Sequence, residues 1–290
     1  MGRRFAVLAI FAVVGLLLLY FHHQAQQKAH ERGDSEFPTP VQLPYKWIGA
    51  ISPPLGGEPS GITYHPQRKT LFVVGDEGNV FELRTDGKIV NEGHLAHADL
   101  EGITVDPATG FLYAVVESEE AILEIHPSSF RIGRKFPIDR NFEGRELLKK
   151  GGMGLEAITF IPDATHPEGG TFWVGNQSFD LKPGREPSVI CEVYLPLRSS
   201  QAKEAKGKIL RYFPMTVIDL SGMAYDARHQ RLIVISDTTN LLLEIALTGE
   251  VGHRYLIPGD DQEGVALDQL GYIYIAQENG EILKLEDRRE

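Results

Sequence analysis

Leu100-Glu101-Gly102-Ile103-Thr104-Val105-Asp106-Pro107 decides the fold, because four other stretches repeat its opening. They are Pro59-Ser60-Gly61-Ile62-Thr63-Tyr64, Leu155-Glu156-Ala157-Ile158-Thr159-Phe160, Leu220-Ser221-Gly222-Met223-Ala224-Tyr225 and Gln262-Glu263-Gly264-Val265-Ala266-Leu267. In each, an acid or serine precedes a small residue and an apolar run. Three of the five run on into Asp and a turn, at Asp106, Asp226 and Asp268. Each phrase then leads into further apolar, alternating segments. A repeat of roughly 40 residues holding several strands is the signature of a β-propeller blade. In a propeller, equivalent positions of every blade meet around one axis.

The pattern works outward from there. In the fourth unit the strands fall at residues 222–225, 231–236, 241–246 and 250–256, with Leu247-Thr248-Gly249-Glu250 as a hairpin turn. The second and third units are longer and carry insertions. Residues 145–150 read as a short helical turn inside one of them. The fifth unit ends after three strands, so its fourth must come from elsewhere. Tyr45-Lys46-Trp47-Ile48-Gly49-Ala50-Ile51 precedes the first phrase and has no partner of its own. Pairing it with the last blade closes the ring and removes an exposed edge. The expected fold is an all-β, five-bladed β-propeller closed by an N-terminal strand, over residues 45–290. A sixth blade would require a degenerate unit hidden in an insertion.

The 290 residues are ample for one large β domain. With 29 basic and 40 acidic residues the formal charge is −11. Such a body repels nucleic acid and anionic lipid and attracts cations. The lone Cys191 excludes an internal disulfide and sits in a strand-like run, where a thiol serves as a small apolar side chain.

The beginning of the chain is of another kind. Arg3 and Arg4 precede a stretch without charge from Phe5 to Phe21, at the short end of what spans a bilayer. The arginines hold that end in the cytoplasm. Residues 1–24 therefore read as a cytoplasmic tip and transmembrane signal-anchor, and 25–44 as a flexible polar tether. The propeller is expected in the periplasm, held at the inner membrane. A cleaved secretory signal is the alternative, but bulky residues stand where small ones belong.

The acids carry the chemistry. The first strand of each blade lines the channel, so Glu101, Glu156 and Glu263 should face one mouth, with the polar Ser60 and Ser221 between them. The ends of the second strands supply a second tier: Asp76, Glu117, Asn176, Asp237 and Glu278. Three converging carboxylates raise one another's pKa, unless a cation sits among them. Oxygen-only donors point to a hard cation, and a wide ring suits Ca2+ better than Mg2+. Taken singly, each acid is equally a strand-end cap. Asp106, Asp226 and Asp268 lie at the other face and read as turn formers.

The order Ser-Gly-Ile, Glu-Gly-Ile, Glu-Ala-Ile, Ser-Gly-Met, Glu-Gly-Val resembles the SdiA-regulated (YjiK-like) family of bacterial envelope proteins. So do Asp219-Leu220-Ser221-Gly222 and Leu243-Glu244-Ile245. The resemblance spans about residues 45 to 288 and the N-terminal apolar segment. It implies a five-bladed propeller, distantly similar to NHL-repeat propellers, with a calcium site in the channel region. Glu101, Glu156 and Glu263 are the residues onto which it carries that site. No catalytic activity is implied. Ala157 departs from the glycine found at the other four positions.

Two functions compete on these grounds. One is a membrane-anchored, calcium-binding module for a small molecule or an envelope protein. The other is a calcium-dependent hydrolase, a lactonase or phytase-like esterase, using the metal as Lewis acid. Glu117, Asp237 and Asp76 are then the candidate bases. No Gly-x-Ser-x-Gly or His-Glu-x-x-His motif is present.

Overall fold

A computed structural model of the protein describes residues 43–96, 98–148, 154–178 and 188–289. The signal-anchor and nearly all of the tether lie outside the described residues. Among those described, no helix is long and apolar enough to cross a membrane.

The chain is all-β. After β1 (Tyr45–Ile51) come four runs of four strands and a last run of three. The first holds β2 (Pro59–His65), β3 (Thr70–Gly75), β4 (Asn79–Leu83) and β5 (Ile89–His94). The second holds β6 (Leu100–Val105), β7 (Leu112–Val116), β8 (Ala121–Ile125) and β9 (Ile132–Asp139). A short hairpin follows, β10 (Asn141–Phe142) with β11 (Arg145–Glu146). The third run holds β12 (Leu155–Pro162), β13 (Gly170–Asn176), β14 (Val189–Tyr194) and β15 (Gly207–Pro214). The fourth is β16 (Gly222–Asp226), β17 (Arg231–Ser236), β18 (Leu241–Ala246) and β19 (Val251–Leu256). The last is β20 (Gln262–Leu267), β21 (Tyr272–Gln277) and β22 (Ile282–Asp287), with β1 pairing antiparallel on β22 as its fourth strand.

Within each unit neighbouring strands pair antiparallel in chain order. The parallel pairing of β9 with β15, at Gly207↔Ile138 and Lys208↔Asp139, joins the second and third units into one eight-stranded sheet. The first strands stand side by side in cyclic order: β2, β6, β12, β16, β20, then β2 again.

Strand character follows from burial. Second and third strands such as Leu232-Ile233-Val234-Ile235 are covered on both faces by neighbouring units, so they read as continuous apolar runs. Outer strands have one wet face and alternate, as β5 does. The core is accordingly divided among the joints between units. One cluster packs Tyr113, Phe136 and Val115 of the second unit on Phe160, Phe172 and Val174 of the third. Another packs Ile62, Leu71 and Phe81 of the first unit on Tyr274, Ala276 and Ile282 of the last. Cys191 lies fully buried in the first of these, its thiol pushed up to about 12 by burial.

A charged motif recurs outside the sequence expectation. Third strands carry a buried glutamate: Glu82, Glu124 and Glu244, with Glu192 partly buried at the same place. Each has a basic partner. Arg68 holds Glu82 through two hydrogen bonds of 2.7 Å, Arg134 holds Glu124, Arg211 holds Glu192, and Arg231 and Arg289 hold Glu244. In the last unit Lys284 takes the place and lies 4.1 Å from the centre of the Tyr272 ring.

The glycines after the markers allow close approach. A Cβ on Gly102 would stand 2.9 Å from the Ile158 nitrogen and closer still to the Glu156 carbonyl oxygen. Both are backbone of the next first strand and cannot swing aside. Gly102→Ala is therefore expected to lower unfolding free energy by about 1–3 kcal/mol, read from urea denaturation.

Of the segment 145–150, expected as a helical turn, the described residues 145–148 are not helical. Arg145 and Glu146 belong to β11, and Leu147 and Leu148 plug the core between the second and third units. Burial of that Leu pair outweighs the helical propensity of the segment. The sole helical element among the described residues is a 3-10 turn at Glu117–Glu119.

Candidate functional site

The acids gather at the starting ends of the first strands. The local reason is a register break. In β2, β6, β12 and β20 the pairing with the second strand shifts at the marker: between Pro59 and Gly61, Leu100 and Ile103, Leu155 and Ile158, Gln262 and Gly264. A bulge re-aims the side chain it contains. The bulged residues here are Ser60, Glu101, Glu156 and Glu263.

Carboxylate oxygens of Glu101, Glu117 and Glu156 lie within 4.8 Å of one another. Glu101 and Glu156 come from adjacent first strands. Glu117 comes from the 3-10 turn after β7, which folds it back towards them. Glu156 is 6% exposed and hydrogen-bonds to the side chains of both others. The Gly154 N–H donates to Glu117 Oε1 at 3.3 Å.

Glu263 belongs to a neighbouring group with Asp219, Asp237 and Glu278, whose charges act on it most strongly. It also feels Glu101, and Glu156 feels it in turn. The three glutamates singled out by sequence thus divide, two in the tight triad and one beside it. Of the second tier, Glu117 completes the triad, and Asp237 and Glu278 surround Glu263. Asp76 acts from further out, on Asp99 and Glu101. Asn176 is buried, and its Oδ1 accepts the Val189 N–H at 2.8 Å.

The electrostatics are one-sided. Burial pushes Glu101 up to about 8, aided by the charges of Glu117 and Asp99, while its hydrogen bond with Glu156 pulls back. Glu156 is raised well above the carboxylate range by burial, then by Glu101, Glu117 and Glu263. Glu263 is pushed up to about 9 by burial and by Asp237 and Asp219. Asp237 reaches about 7 through burial and Asp219, held back by the Gln262 N–H it accepts at 2.9 Å. The charged groups that raise these four are all acids. The cluster therefore keeps protons near neutral pH or takes a cation in their place. An all-oxygen donor set of this charge fits Ca2+.

Two acids escaped the sequence reading: Asp99 and Asp219, each two residues before a marker. The recurrence of Asp-Leu-Glu and Asp-Leu-Ser was the available signal.

The serines do something else. Ser60 Oγ donates to the Leu100 carbonyl at 2.8 Å and Ser221 Oγ to the Gln262 carbonyl at 2.6 Å. Each ties its own first strand to the next unit. Ser221→Ala should cost about 1–2 kcal/mol of stability and leave any calcium response intact, as thermal melts with and without chelator would read. Asp106, Asp226 and Asp268 close turns by accepting backbone N–H groups, as expected.

The units, their cyclic first strands and the acid-lined mouth define a β-propeller with a carboxylate cluster at one end of its channel. The family is then clear: the chain belongs to the SdiA-regulated family, whose model matches residues 50–282. Among solved structures it is similar to the glutaminyl cyclase of Myxococcus xanthus, with TM-score 0.60 and 11% identity over 86% of this chain and 98% of that one. It is also similar to a streptogramin B lyase, with TM-score 0.46 and 12% identity over 82% of this chain and 96% of that one. At such identity the first likeness shows the fold alone.

Proposed function

We propose that this protein is a five-bladed, calcium-binding propeller anchored in the bacterial inner membrane, with its folded body in the periplasm, acting as a binding module for a ligand or envelope partner. The cyclic order of five first strands, with β1 completing the last unit, supports the blade count. Arg3 and Arg4 ahead of the uncharged stretch from Phe5 to Phe21 support the anchor and its orientation. The observation that carries the calcium reading is the triad: three carboxylates within 4.8 Å, their repulsion balanced by no base among the groups that shift them most. In this reading Glu101, Glu117 and Glu156 hold the ion, and Glu263 with Asp237 adds negative potential beside it.

Native mass spectrometry of the full-length chain, released from detergent, tests this directly. A bound mass of one calcium is expected in wild type and absent from Glu156→Gln. A chain that carries no divalent ion in millimolar calcium would refute the reading. Turnover of lactones or phosphoesters that needs both calcium and Glu156 would replace the binding module with the hydrolase.

A further inference from the structure

The far end of the channel holds a cavity of about 380 Å³, within the ~300–1,000 Å³ range of small-molecule sites. The last residues of all five first strands line it, and Pro66, Pro107 and Pro162 stand in its wall. Its polar groups differ in how the fold uses them. Thr104 Oγ1 accepts the Phe160 N–H and Thr159 Oγ1 accepts the Tyr225 N–H, tying each first strand to the next. Thr63 holds the equivalent place in β2 and makes no such bond among the described residues.

The tyrosines differ in the same way. Tyr45, which also lines the cavity, donates its hydroxyl to Glu244, and elsewhere Tyr113, Tyr194 and Tyr274 donate theirs to Glu124, Glu168 and Asp268. Tyr64 and Tyr225 line the cavity from two different units, half-buried, and their hydroxyls have no hydrogen-bond partner among the described residues. The three carboxylates of the wall are partnered within the fold, Asp287 by Arg289. Asp226 is held by His229 and Arg231, and Asp268 by Tyr274 and two backbone N–H groups.

We infer that this cavity binds a small, neutral, planar aromatic molecule bearing a hydrogen-bond acceptor. Tyrosine and proline faces suit a flat ring, and two phenol donors are left to meet an acceptor at its edge. A neutral guest suits a wall whose carboxylates are already held from within the fold. A sugar would need several free polar partners, and most polar side chains of the wall are already engaged within the fold. The site shares no residue with the carboxylate cluster and does not rest on the cation reading.

The test is ligand-observed NMR on the full-length chain in lipid nanodiscs, with empty nanodiscs as blank, in chelator and again in calcium. Three probes are compared: acetophenone, toluene and methyl β-glucopyranoside. Acetophenone should bind saturably in both conditions, toluene more weakly and the glucoside not at all. The double variant Tyr64→Phe/Tyr225→Phe should weaken acetophenone roughly tenfold, towards toluene, with melting temperature little changed. Ala224→Phe, which fills the cavity, should abolish binding. No saturable acetophenone binding, equal binding by the double variant, or binding of the glucoside alone would each overturn the inference, whatever calcium does at the other mouth.

Discussion

Calcium will raise the melting temperature by an amount that grows with pH, negligible at pH 4 and greatest near pH 9. The sign follows from which state holds protons. Folded Glu101, Glu263 and Asp237 titrate at about 8, 9 and 7, against ordinary values of 4.5, 4.5 and 3.8. Between the two sets of values the unfolded chain has released protons that the folded chain still binds. Stability without metal therefore falls as pH rises through that window, being full below about pH 4 and lowest above about pH 9. A bound cation takes the place of those protons and removes the fall. At a thousandfold excess over Kd it contributes about 4 kcal/mol, a shift of roughly 8–16 °C for a domain of this size.

Glu156→Gln separates this from a general salt effect. It removes the most buried carboxyl of the triad, so the metal-free variant should melt no lower than wild type at pH 9. Its calcium shift should fall to under a third. Magnesium, which demands a tighter octahedron, should do less than calcium in wild type. Scanning calorimetry in chelator, calcium and magnesium from pH 4 to 9 reads all of these. A calcium shift that is flat with pH, or unchanged by Glu156→Gln, would remove the electrostatic basis of the site.

Much of the fold was legible because its cause is local. Strands in the fourth unit were readable to within a residue, since turn glycines such as Gly249, at φ +86°, punctuate apolar runs. The role of β1 was legible by elimination, because the last unit lacked a strand and Tyr45–Ile51 lacked a partner. The parallel join of β9 to β15 was not. It pairs segments about 70 residues apart, and nothing in either sequence marks the other.

The site was legible in kind and less so in membership. The repeat put Glu101, Glu156 and Glu263 at one mouth. It placed Glu117 a tier behind, at the end of a second strand. The 3-10 turn there, with Glu120 in the left-handed region at φ +44°, brings Glu117 forward instead. Glu263 lies beside Asp219 and Asp237 for a related reason. Asp219 itself has a left-handed backbone, at φ +57°, and Thr238 N–H donates to its carboxylate at 2.9 Å. Such backbone reversals depend on tertiary hydrogen bonds that an isolated pentapeptide does not display. The glutamates of the third strands went unread, although each is an acid inside an apolar run, which calls for a buried base.

Among those glutamates, Glu244→Ala is expected to be the most damaging, lowering unfolding free energy by about 3–5 kcal/mol. Glu244 is 3% exposed and sits on β18 of the fourth unit. Arg231 meets it at 2.5 Å from its own unit. From the last unit come Arg289 at 2.8 Å, just past β22, and the Tyr45 hydroxyl at 3.1 Å, at the head of β1. Arg289 also donates to the Tyr45 oxygen at 3.0 Å. One carboxylate thus joins the strand that completes the last unit, the chain's end and the neighbouring unit. Truncating it strands Arg231 with Asp226 alone and frees both ends of the folded chain at once. Glu244→Gln keeps an acceptor and should cost less. Arg289→Ala removes an arm that is one-third exposed and should cost about 1 kcal/mol. If the three groups act as one clamp, the double variant Glu244→Ala/Arg289→Ala will be little worse than Glu244→Ala alone, a coupling of about 1 kcal/mol in urea unfolding. Additive losses would mean that Arg289 holds the chain's end through Asp287, and that the joint between the two units rests on the packing of Tyr45, Tyr255 and Leu285 instead.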